Sequence, residues 1–208
     1  MRIWKSAISD RYLSFHAVIE MTSKILMHIC CGPCAVYPVT VLQERGYEVT
    51  GLFYNPNIHP LTEYLARAQS AQNAADMLGI RMIRLDSEYD PAQYLRSIVF
   101  REEQKCYLCC QDRLERTRNI AVRGKFGHFT SSLLFSKRQK HEQIQSAAQS
   151  LSKKNCLFLY EDFRQGWKQG RAMADEMGLY RQNYCGCIYS EYERFRAELG
   201  RSDYIPDI

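Results

Sequence analysis

The chain has 208 residues, 46% of them hydrophobic, so it can bury one large core without disulfide bonds as staples. Its net charge of +5 is a mild basic bias that is compatible with nucleic-acid binding. The sequence contains neither a run of about 18 apolar residues nor an uninterrupted signal-peptide core. These properties exclude a small secreted disulfide scaffold and predict a cytoplasmic protein with no membrane partner.

Predicted strands and helices alternate along most of the chain. Strands are predicted over residues 24–29, 48–54, 81–85, 129–135 and 156–160. Helices are predicted over residues 33–46, 62–79, 90–100, 108–123, 136–150, 166–178 and 189–199, with Ser136 as the cap of the fifth. Such alternation is typical of βαβ units, so we expect an α/β fold with a parallel sheet and helices on both faces.

A division near the first strand is the one boundary that the sequence predicts. Residues 1–23 precede that strand and show weak hydrophobic periodicity, which indicates an N-terminal extension, with a misassigned start as the alternative. Residues 24–208 contain no internal repeat, low-complexity tract or long linker. We therefore predict a single α/β domain over residues 24–208.

Seven of the nine cysteines fall into three short clusters that lie far apart in the sequence. The clusters are Cys30-Cys31-Gly32-Pro33-Cys34, Cys106-x-x-Cys109 and Cys185-Gly186-Cys187. Clustered thiols in a reducing compartment indicate metal binding or catalysis. Ligands of parallel sheets bind at the carboxyl ends of strands, and the first cluster directly follows the first strand. Cys110 and Cys156 stand outside the clusters and are predicted to pack in the core.

The spacing favours an iron–sulfur cluster over zinc or thiol redox chemistry, without excluding either. Cys30 and Cys31 are adjacent, so their side chains diverge and suit two different irons or two neighbouring centres. Cys34 lies in the first turn of a predicted helix, where the helix dipole lowers the pKa of a thiol. A disulfide between Cys185 and Cys187 would be strained and easily reduced, so these two residues suit a redox role as well as metal ligation.

Longer motifs surround the cysteines. They are His28-Ile29-Cys30-Cys31-Gly32-Pro33-Cys34, Cys106-x-x-Cys109 before a basic helix, Phe129-Thr130-Ser131-Ser132-Leu133-Leu134, Asp162-Phe163-Arg164 and Leu179-Tyr180-Arg181-Gln182-Asn183-Tyr184-Cys185-Gly186-Cys187. In this order they resemble the cobalamin-independent epoxyqueuosine reductases of the QueH type, from about Lys24 to Glu193. The resemblance implies a Rossmann-like sheet of the nucleotide α-hydrolase kind.

The resemblance also implies an activity and its partners. Epoxyqueuosine at the wobble position of tRNA would be reduced to queuosine, which is the final step of queuosine biosynthesis. The enzyme would then be an oxidoreductase that takes electrons from an unidentified donor, ferredoxin-like or flavodoxin-like. The predicted domain over residues 24–208 would accordingly be a metalloenzyme domain.

Site residues are carried over from the resemblance position by position. Cys30, Cys31, Cys106 and Cys109 match the ligands of a [4Fe–4S] cluster. Cys185 and Cys187 match a redox-active pair that can form a disulfide or bind a second metal, and Cys34 matches a residue that helps to hold a second, mononuclear iron. The divergence of vicinal cysteines allows another partition, in which Cys30 joins the second metal and Cys187 joins the cluster. We expect the first partition.

Converting an epoxide to an alkene takes two electrons and two protons and releases water. An open iron site or the dithiol of Cys185 and Cys187 could deliver the electrons. Asp162 and His28 are candidate proton donors, although His28 suits a buried structural role equally well. The tRNA would bind to basic residues and stack on aromatic ones. The candidates are Arg113, Arg116, Arg118, Arg123, Lys125, Lys137, Arg138, Lys140, Arg164, Lys168 and Arg171, with Phe163, Tyr180 and Tyr184 for stacking.

Three other functions compete with this interpretation. An iron–sulfur tRNA sulfurtransferase of related fold would need a Ser-Gly-Gly-x-Asp-Ser phosphate loop, and the cysteine cluster stands in its place. A zinc-dependent RNA-binding module would hold zinc and no reducible centre. An iron–sulfur thiol oxidoreductase would act on small disulfides without tRNA.

Overall fold

The structure is a computed structural model that describes residues 23–152 and 154–200. Its strands are β1 (Ser23–His28), β2 (Tyr47–Phe53), β3 (Arg81–Arg84), β4 (His128–Ser131) and β5 (Leu157–Phe158). Its helices are α1 (Gly32–Glu44), α2 (Leu61–Met77), α3 (Pro91–Ile98), α4 (Lys105–Arg123), α5 (His141–Leu151), α6 (Trp167–Glu176) and α7 (Ile188–Phe195). The predicted extension over residues 1–23 lies almost wholly outside the described residues, so the domain boundary stays a prediction.

All five strands are parallel and lie in the order β3-β2-β1-β4-β5. The α/β fold with a Rossmann-like parallel sheet is therefore confirmed. Strand β1 is central, with Ile25 beside Val49 of β2 on one side and His128 of β4 on the other. The chain order reverses at β1, and such a switch point opens a crevice at the carboxyl ends of the strands.

Alternating side chains of β1 bury opposite faces of the sheet, as the period of a strand requires. Ile25 and Met27 pack in the large core cluster that contains Val39 of α1. Leu26 packs in a separate cluster with Ala121 of α4. Helices therefore cover both faces, and the ends of the strands remain the accessible edge. Among the described residues, no helix is long and apolar enough to cross a membrane.

Several predicted boundaries differ from the structure, and three of them have a clear consequence or cause. Strand β4 ends at Ser131, because the Ser131 hydroxyl accepts the Leu133 N–H and starts a 3₁₀ turn over Ser132–Phe135. Ser136 does not cap α5, which begins after Lys140; the Ser136 hydroxyl instead accepts the Arg138 N–H. Helix α4 begins at Lys105 rather than near residue 108, so the Cys106-x-x-Cys109 motif lies in its first two turns.

Candidate active site

Cys30, Cys31 and Cys34 form a compact group, named here the β1 triad, at the carboxyl end of β1. Their Sγ atoms all lie within 4.8 Å of one another, and those of Cys30 and Cys31 are 3.8 Å apart. Cys31 is the N-cap residue of α1, which has no side-chain cap, and Cys34 lies in its first turn. Three soft sulfur ligands at this spacing can hold a metal ion, since a tetrahedral metal with bonds of ~2.3 Å separates its sulfurs by about 3.8 Å.

The three thiols of the triad differ in pKa. Hydrogen bonds from Cys31 and Cys34, together with one from the Ser132 hydroxyl to Cys30 Sγ over 3.4 Å, hold the pKa of Cys30 well below its usual range. Burial raises the pKa of Cys31, and the hydrogen bond between Cys34 and Cys30 raises the pKa of Cys34. Gln182 adds an amide donor at 2.9 Å from Cys31 Sγ. Cys30 is therefore the cysteine of the triad whose charged form the surroundings favour most.

His28 ties together the strand ends beneath the triad. Its Nε2 faces Asn55 Oδ1 at 3.1 Å and its Nδ1 faces Ser131 Oγ at 2.9 Å, while Asn55 Nδ2 donates to the Ile29 carbonyl at 2.9 Å. The residue is fully buried, and burial lowers its pKa to about 4. His28 is thus a neutral structural histidine that connects β1, β4 and the end of β2, and this position does not favour a role as proton donor.

The remaining four clustered cysteines, named here the α4 group, meet around a second cavity of about 280 Å³. They are Cys106, Cys109, Cys185 and Cys187. Burial raises the pKa of Cys109 and of Cys185. Cys185 also lines a first cavity, beside the triad, whereas Cys187 does not. The structure therefore brings all three sequence clusters to one edge of the sheet, with Cys185 between them.

A buried arginine fixes the Cys185-Gly186-Cys187 loop. Arg67 of α2 is 1% exposed, pairs with Glu63 at 2.6 Å and donates to the carbonyls of Tyr184 and Cys185. Gly186 has a φ of +137°, and a Cβ there would lie 3.1 Å from Arg67 Nη1. The Gly186 carbonyl accepts the backbone N–H of His59 at 2.8 Å. Only glycine fits this conformation and this close approach.

A second buried guanidinium lies between the two cavities. Arg113 of α4 lines both of them, is 3% exposed and donates to the Cys109 carbonyl at 3.0 Å. Among the ion pairs of the described residues it has no carboxylate partner. A buried cation of this kind favours negative charge nearby, and it opposes the rise in pKa that burial causes at Cys109 and Cys185.

The cavity beside the triad has a volume of about 260 Å³ and a strongly cationic wall. Its lining contains the sulfur-bearing residues Cys30, Cys34 and Cys185 and the half-buried indole of Trp167. No Asp or Glu is among the described residues that line it, but six arginines are: Arg67, Arg113, Arg138, Arg171, Arg181 and Arg194. Such a cavity suits an anionic ligand with one flat, partly apolar group.

Several other predicted residues lie apart from the sulfurs. Asp162 caps a 3₁₀ turn and binds Arg164 through both carboxylate oxygens, at 2.8 and 2.6 Å. This hydrogen bonding lowers the pKa of Asp162 to about 2, and the residue lines neither sulfur cavity. Its role as proton donor stays a prediction that this position does not favour. Cys110 and Cys156 are buried in apolar clusters, as predicted.

The aromatic candidates for stacking are also mostly committed elsewhere. Phe163 is 1% exposed, and the hydroxyl of Tyr184 donates to the His59 carbonyl while its ring faces Arg67. Tyr180 binds Glu63 at 2.5 Å. Among the basic candidates, Arg116 pairs with Glu88. Arg138 and Arg171 are the candidates, besides Arg113, that reach the cavity.

Sequence reasoning missed several residues of the site. Among them are Arg67, Ser132, Gln139, Trp167, Arg181, Gln182 and Arg194. Three of these, Ser132, Arg181 and Gln182, stand inside motifs that were already recognised, so their neighbours were a usable signal. The other four lie outside every recognised motif, and only the folded chain brings them to the site.

The fold and the site together define an α/β protein with seven cysteines and an arginine-rich cavity at one edge of its sheet. Clustered sulfurs that could hold a metal ion, beside a cationic cavity, are typical of an enzyme active site. A family model described as epoxyqueuosine reductase QueH matches residues 25–193. The chain therefore belongs to the epoxyqueuosine reductase QueH family.

Curated relatives carry the same description. The protein of Dehalococcoides mccartyi named epoxyqueuosine reductase QueH is 36% identical over 84% of this chain and 96% of its own length. The namesake of Haemophilus influenzae is 32% identical over 86% of this chain and 77% of its own length. A solved structure titled as a predicted subunit of tRNA methyltransferase from Methanocaldococcus jannaschii gives a TM-score of 0.49 at 16% identity, over 74% of this chain and 75% of that one. A likeness at that level carries no argument about function.

Proposed function

We propose that this protein reduces epoxyqueuosine to queuosine at the wobble position of tRNA, the final step of queuosine biosynthesis. Membership of the QueH family is the observation that carries the reaction. The convergence of seven cysteines on one edge of the sheet supports a redox mechanism. Four arginines of the first cavity, Arg113, Arg138, Arg171 and Arg194, have no carboxylate partner among the described residues. They support a nucleic-acid substrate, since phosphates are the anions that arginine binds best.

The donor set fits iron bound by thiolates. Sulfur ligands select iron–sulfur clusters and zinc over hard cations, and the lowered pKa of Cys30 in the β1 triad favours the thiolate form that such metals bind. When bound, a [4Fe–4S] cluster supplies electrons one at a time at low potential, and the reaction needs two of them. The balance is an epoxide, two electrons and two protons giving an alkene and water. The electrons come from a separate donor, which we expect to be ferredoxin-like or flavodoxin-like.

The linings of the two cavities favour the second of the two ligand partitions for six of the seven cysteines, while Cys31 lines neither cavity. Cys30, Cys34 and Cys185 line the first cavity, whereas Cys106, Cys109 and Cys187 line the second, and Cys185 faces both. We propose that the cluster is held by Cys31, Cys106, Cys109 and Cys187. Cys30, Cys34 and Cys185 are then left for a mononuclear iron. In the first partition, Cys30, Cys31, Cys106 and Cys109 would bind the cluster and Cys185 and Cys187 would form a redox disulfide.

Iron analysis and single-turnover reduction of epoxyqueuosine tRNA test the function. Protein purified without oxygen should contain about four or more irons per chain with acid-labile sulfide, and dithionite-reduced protein should convert the modified nucleoside to queuosine. Cys109→Ala should lose most of the iron and all turnover. Cys156→Ala removes a buried thiol remote from the site and should keep both. Zinc without sulfide in anaerobic protein would overturn the proposal and favour an RNA-binding module.

The two partitions give opposite results for Cys187→Ser. If Cys187 binds the cluster, this variant loses cluster absorbance together with turnover. If Cys187 belongs to a redox pair, the variant keeps the absorbance and loses turnover alone. Cys110→Ala is the matched control, because Cys110 is adjacent to a cluster residue and packs in the apolar core.

A further inference from the structure

One aromatic side chain of the first cavity is not explained by the cysteine chemistry. Trp167 is the first residue of α6, is half-buried and lines the cavity that contains Cys30 and Cys185. Its cavity neighbours Phe135 and Tyr184 are buried, with exposed fractions of 2% and 9%. Trp167 is thus the aromatic ring that the described part of the cavity wall leaves accessible.

The indole is held in place before any ligand arrives. Its ring packs against Phe135 with centroids 5.1 Å apart and an interplanar angle of 32°. Two glycines allow this packing: a Cβ at Gly166 would overlap the Tyr37 ring, and a Cβ at Gly170 would lie 2.7 Å from the Phe135 ring. Helix α6 can therefore approach α1 closely and fix the indole against the wall. A preorganised flat surface loses little entropy when a ligand stacks on it.

Cations surround the same ring. Lys137 Nζ lies 5.9 Å and Arg171 Cζ 6.0 Å from the ring centroid, at the outer limit of cation–π attraction. An exposed cation–π contact contributes about 0.5–1 kcal/mol, less than the ~1–3 kcal/mol of a stacked base. A base can therefore displace either cation from the ring, and the freed side chain can bind a neighbouring phosphate. An aromatic platform with a basic rim is the common design of single-stranded nucleic-acid sites.

We propose that Trp167 is the stacking platform for the modified base itself, with Arg171 and Lys137 on the flanking phosphates. This inference rests on the proposed function and assigns the cavity to the wobble nucleotide. A cavity of about 260 Å³ has room for one base and not for a helix, so the nucleotide must leave the anticodon stack to reach the sulfurs. Stacking on Trp167 then compensates for the stacking that is lost in the loop.

Tryptophan fluorescence tests the platform directly, because the chain has two tryptophans, Trp4 and Trp167. In the Trp4→Phe variant the signal reports on Trp167 alone. An anticodon stem-loop with guanosine at the wobble position should quench this signal, since a stacked base quenches indole emission. A matched stem-loop with an abasic wobble position should quench much less, at equal occupancy measured by anisotropy of the labelled RNA. Equal quenching by both RNAs would mean that Trp167 contacts another nucleotide, and binding without quenching would remove the platform.

Replacement of the ring gives a second readout. Trp167→Ala should weaken stem-loop binding by about 10- to 100-fold, whereas Trp167→Phe keeps a flat face and should retain most of the affinity. The loss in Trp167→Ala should shrink with the abasic stem-loop, which a general folding defect would not produce. Unchanged affinity in Trp167→Ala would overturn the proposal.

The platform and the reaction can fail separately. Quenching that depends on the wobble base, without any conversion of epoxyqueuosine by reduced protein, would support the platform and refute the reaction. Normal conversion with no quenching would refute the platform and support the reaction. Failure of the stem-loop to bind at all would overturn both.

Discussion

The β1 triad and the α4 group both bring several thiols together, but different contacts assemble them. The triad comes from residues 30–34 at the start of one helix, so cysteines that are close in sequence bring their sulfurs within 4.8 Å. The α4 group joins the first turns of α4 to the Cys185-Gly186-Cys187 loop, and Arg67 of a third element holds that loop. The first group is therefore assembled mainly by local geometry, with a tertiary contact from Ser132, whereas the second depends on a buried tertiary contact for its assembly.

The two groups also differ in charge. Hydrogen bonds within the triad lower the pKa of Cys30, while the pKa values of Cys31 and Cys34 are raised, as are those of Cys109 and Cys185 in the α4 group. A metal must displace the protons of the thiols that bind it, so both groups contain thiols that resist metal binding and only the triad contains one whose charged form is favoured. The placement of the sulfurs, more than their charge, indicates that the triad is the preformed half of the site and that the α4 group is the half most sensitive to substitution.

Arg67→Met should cause the largest loss, because it breaks the contact on which the α4 group depends. Removing one partner of the buried pair leaves Glu63 uncompensated, and the free energy of unfolding should fall by about 3–5 kcal/mol in urea titration. The matched control is Arg45→Met, which breaks the more exposed pair with Glu161 and should cost less than about 1 kcal/mol. Similar losses in the two variants would contradict the structural role of Arg67.

Gly186→Ala should displace the loop of the α4 group without removing a charge. The added Cβ would lie 3.1 Å from atoms of Arg67 and Ile58, and the alanine backbone would have to keep a φ of +137°. Crowding and backbone strain together should lower the free energy of unfolding by about 2–4 kcal/mol. Gly178→Ala is the control, since its φ is +62° and nothing lies within 4 Å of the new Cβ; about 1–2 kcal/mol is expected there. Iron content should fall in the first variant only. Equal iron content would show that the loop tolerates the shift.

Ser132→Ala tests whether a tertiary contact also stabilises the triad. The buried Ser132 hydroxyl accepts the Cys30 N–H at 3.0 Å and donates to Cys30 Sγ, so its loss leaves a buried N–H unpaired. The free energy of unfolding should fall by about 1–3 kcal/mol. Ser150→Ala removes a hydroxyl that bonds only to a helix carbonyl nearby and should change stability by less than about 0.5 kcal/mol. A neutral Ser132→Ala would mean that the turn alone fixes the triad.

Asp162→Asn should have the smallest effect, because Asp162 lies outside both groups. Its solvent-exposed pair with Arg164 should contribute little to the free energy of unfolding. The folded-state pKa of about 2 lies below the ordinary value of 3.8, so this contribution is complete above pH 3.8 and disappears as the pH falls towards 2. Unfolding of both proteins between pH 2 and 6 measures the difference. Turnover at neutral pH should persist, and its loss would restore Asp162 as the proton donor.

Much of the site was predictable because its signals are local in sequence. The three cysteine clusters and the alternation of strands and helices were enough to expect a parallel sheet with sulfurs at one edge. The errors arose where side chains compete with the pattern: the Ser131 hydroxyl ends β4 early, and Ser136 binds Arg138 in place of capping α5. Which sulfurs share a cavity could not be read from spacing, since Cys30 and Cys31 are neighbours in sequence and only Cys30 lines the first cavity.

The sequence by itself determined the family, the parallel α/β fold and the residues that carry sulfur, because these depend on periodicity and on short motifs. The tertiary structure alone decided the placement of Arg67, Arg113 and Trp167, which come from three helices and meet at the carboxyl ends of the strands. Their roles depend on burial and on partners that are distant in the chain. A guanidinium that is buried against carbonyls and sulfurs has the same sequence signature as one on a solvated helix face, and only packing separates the two.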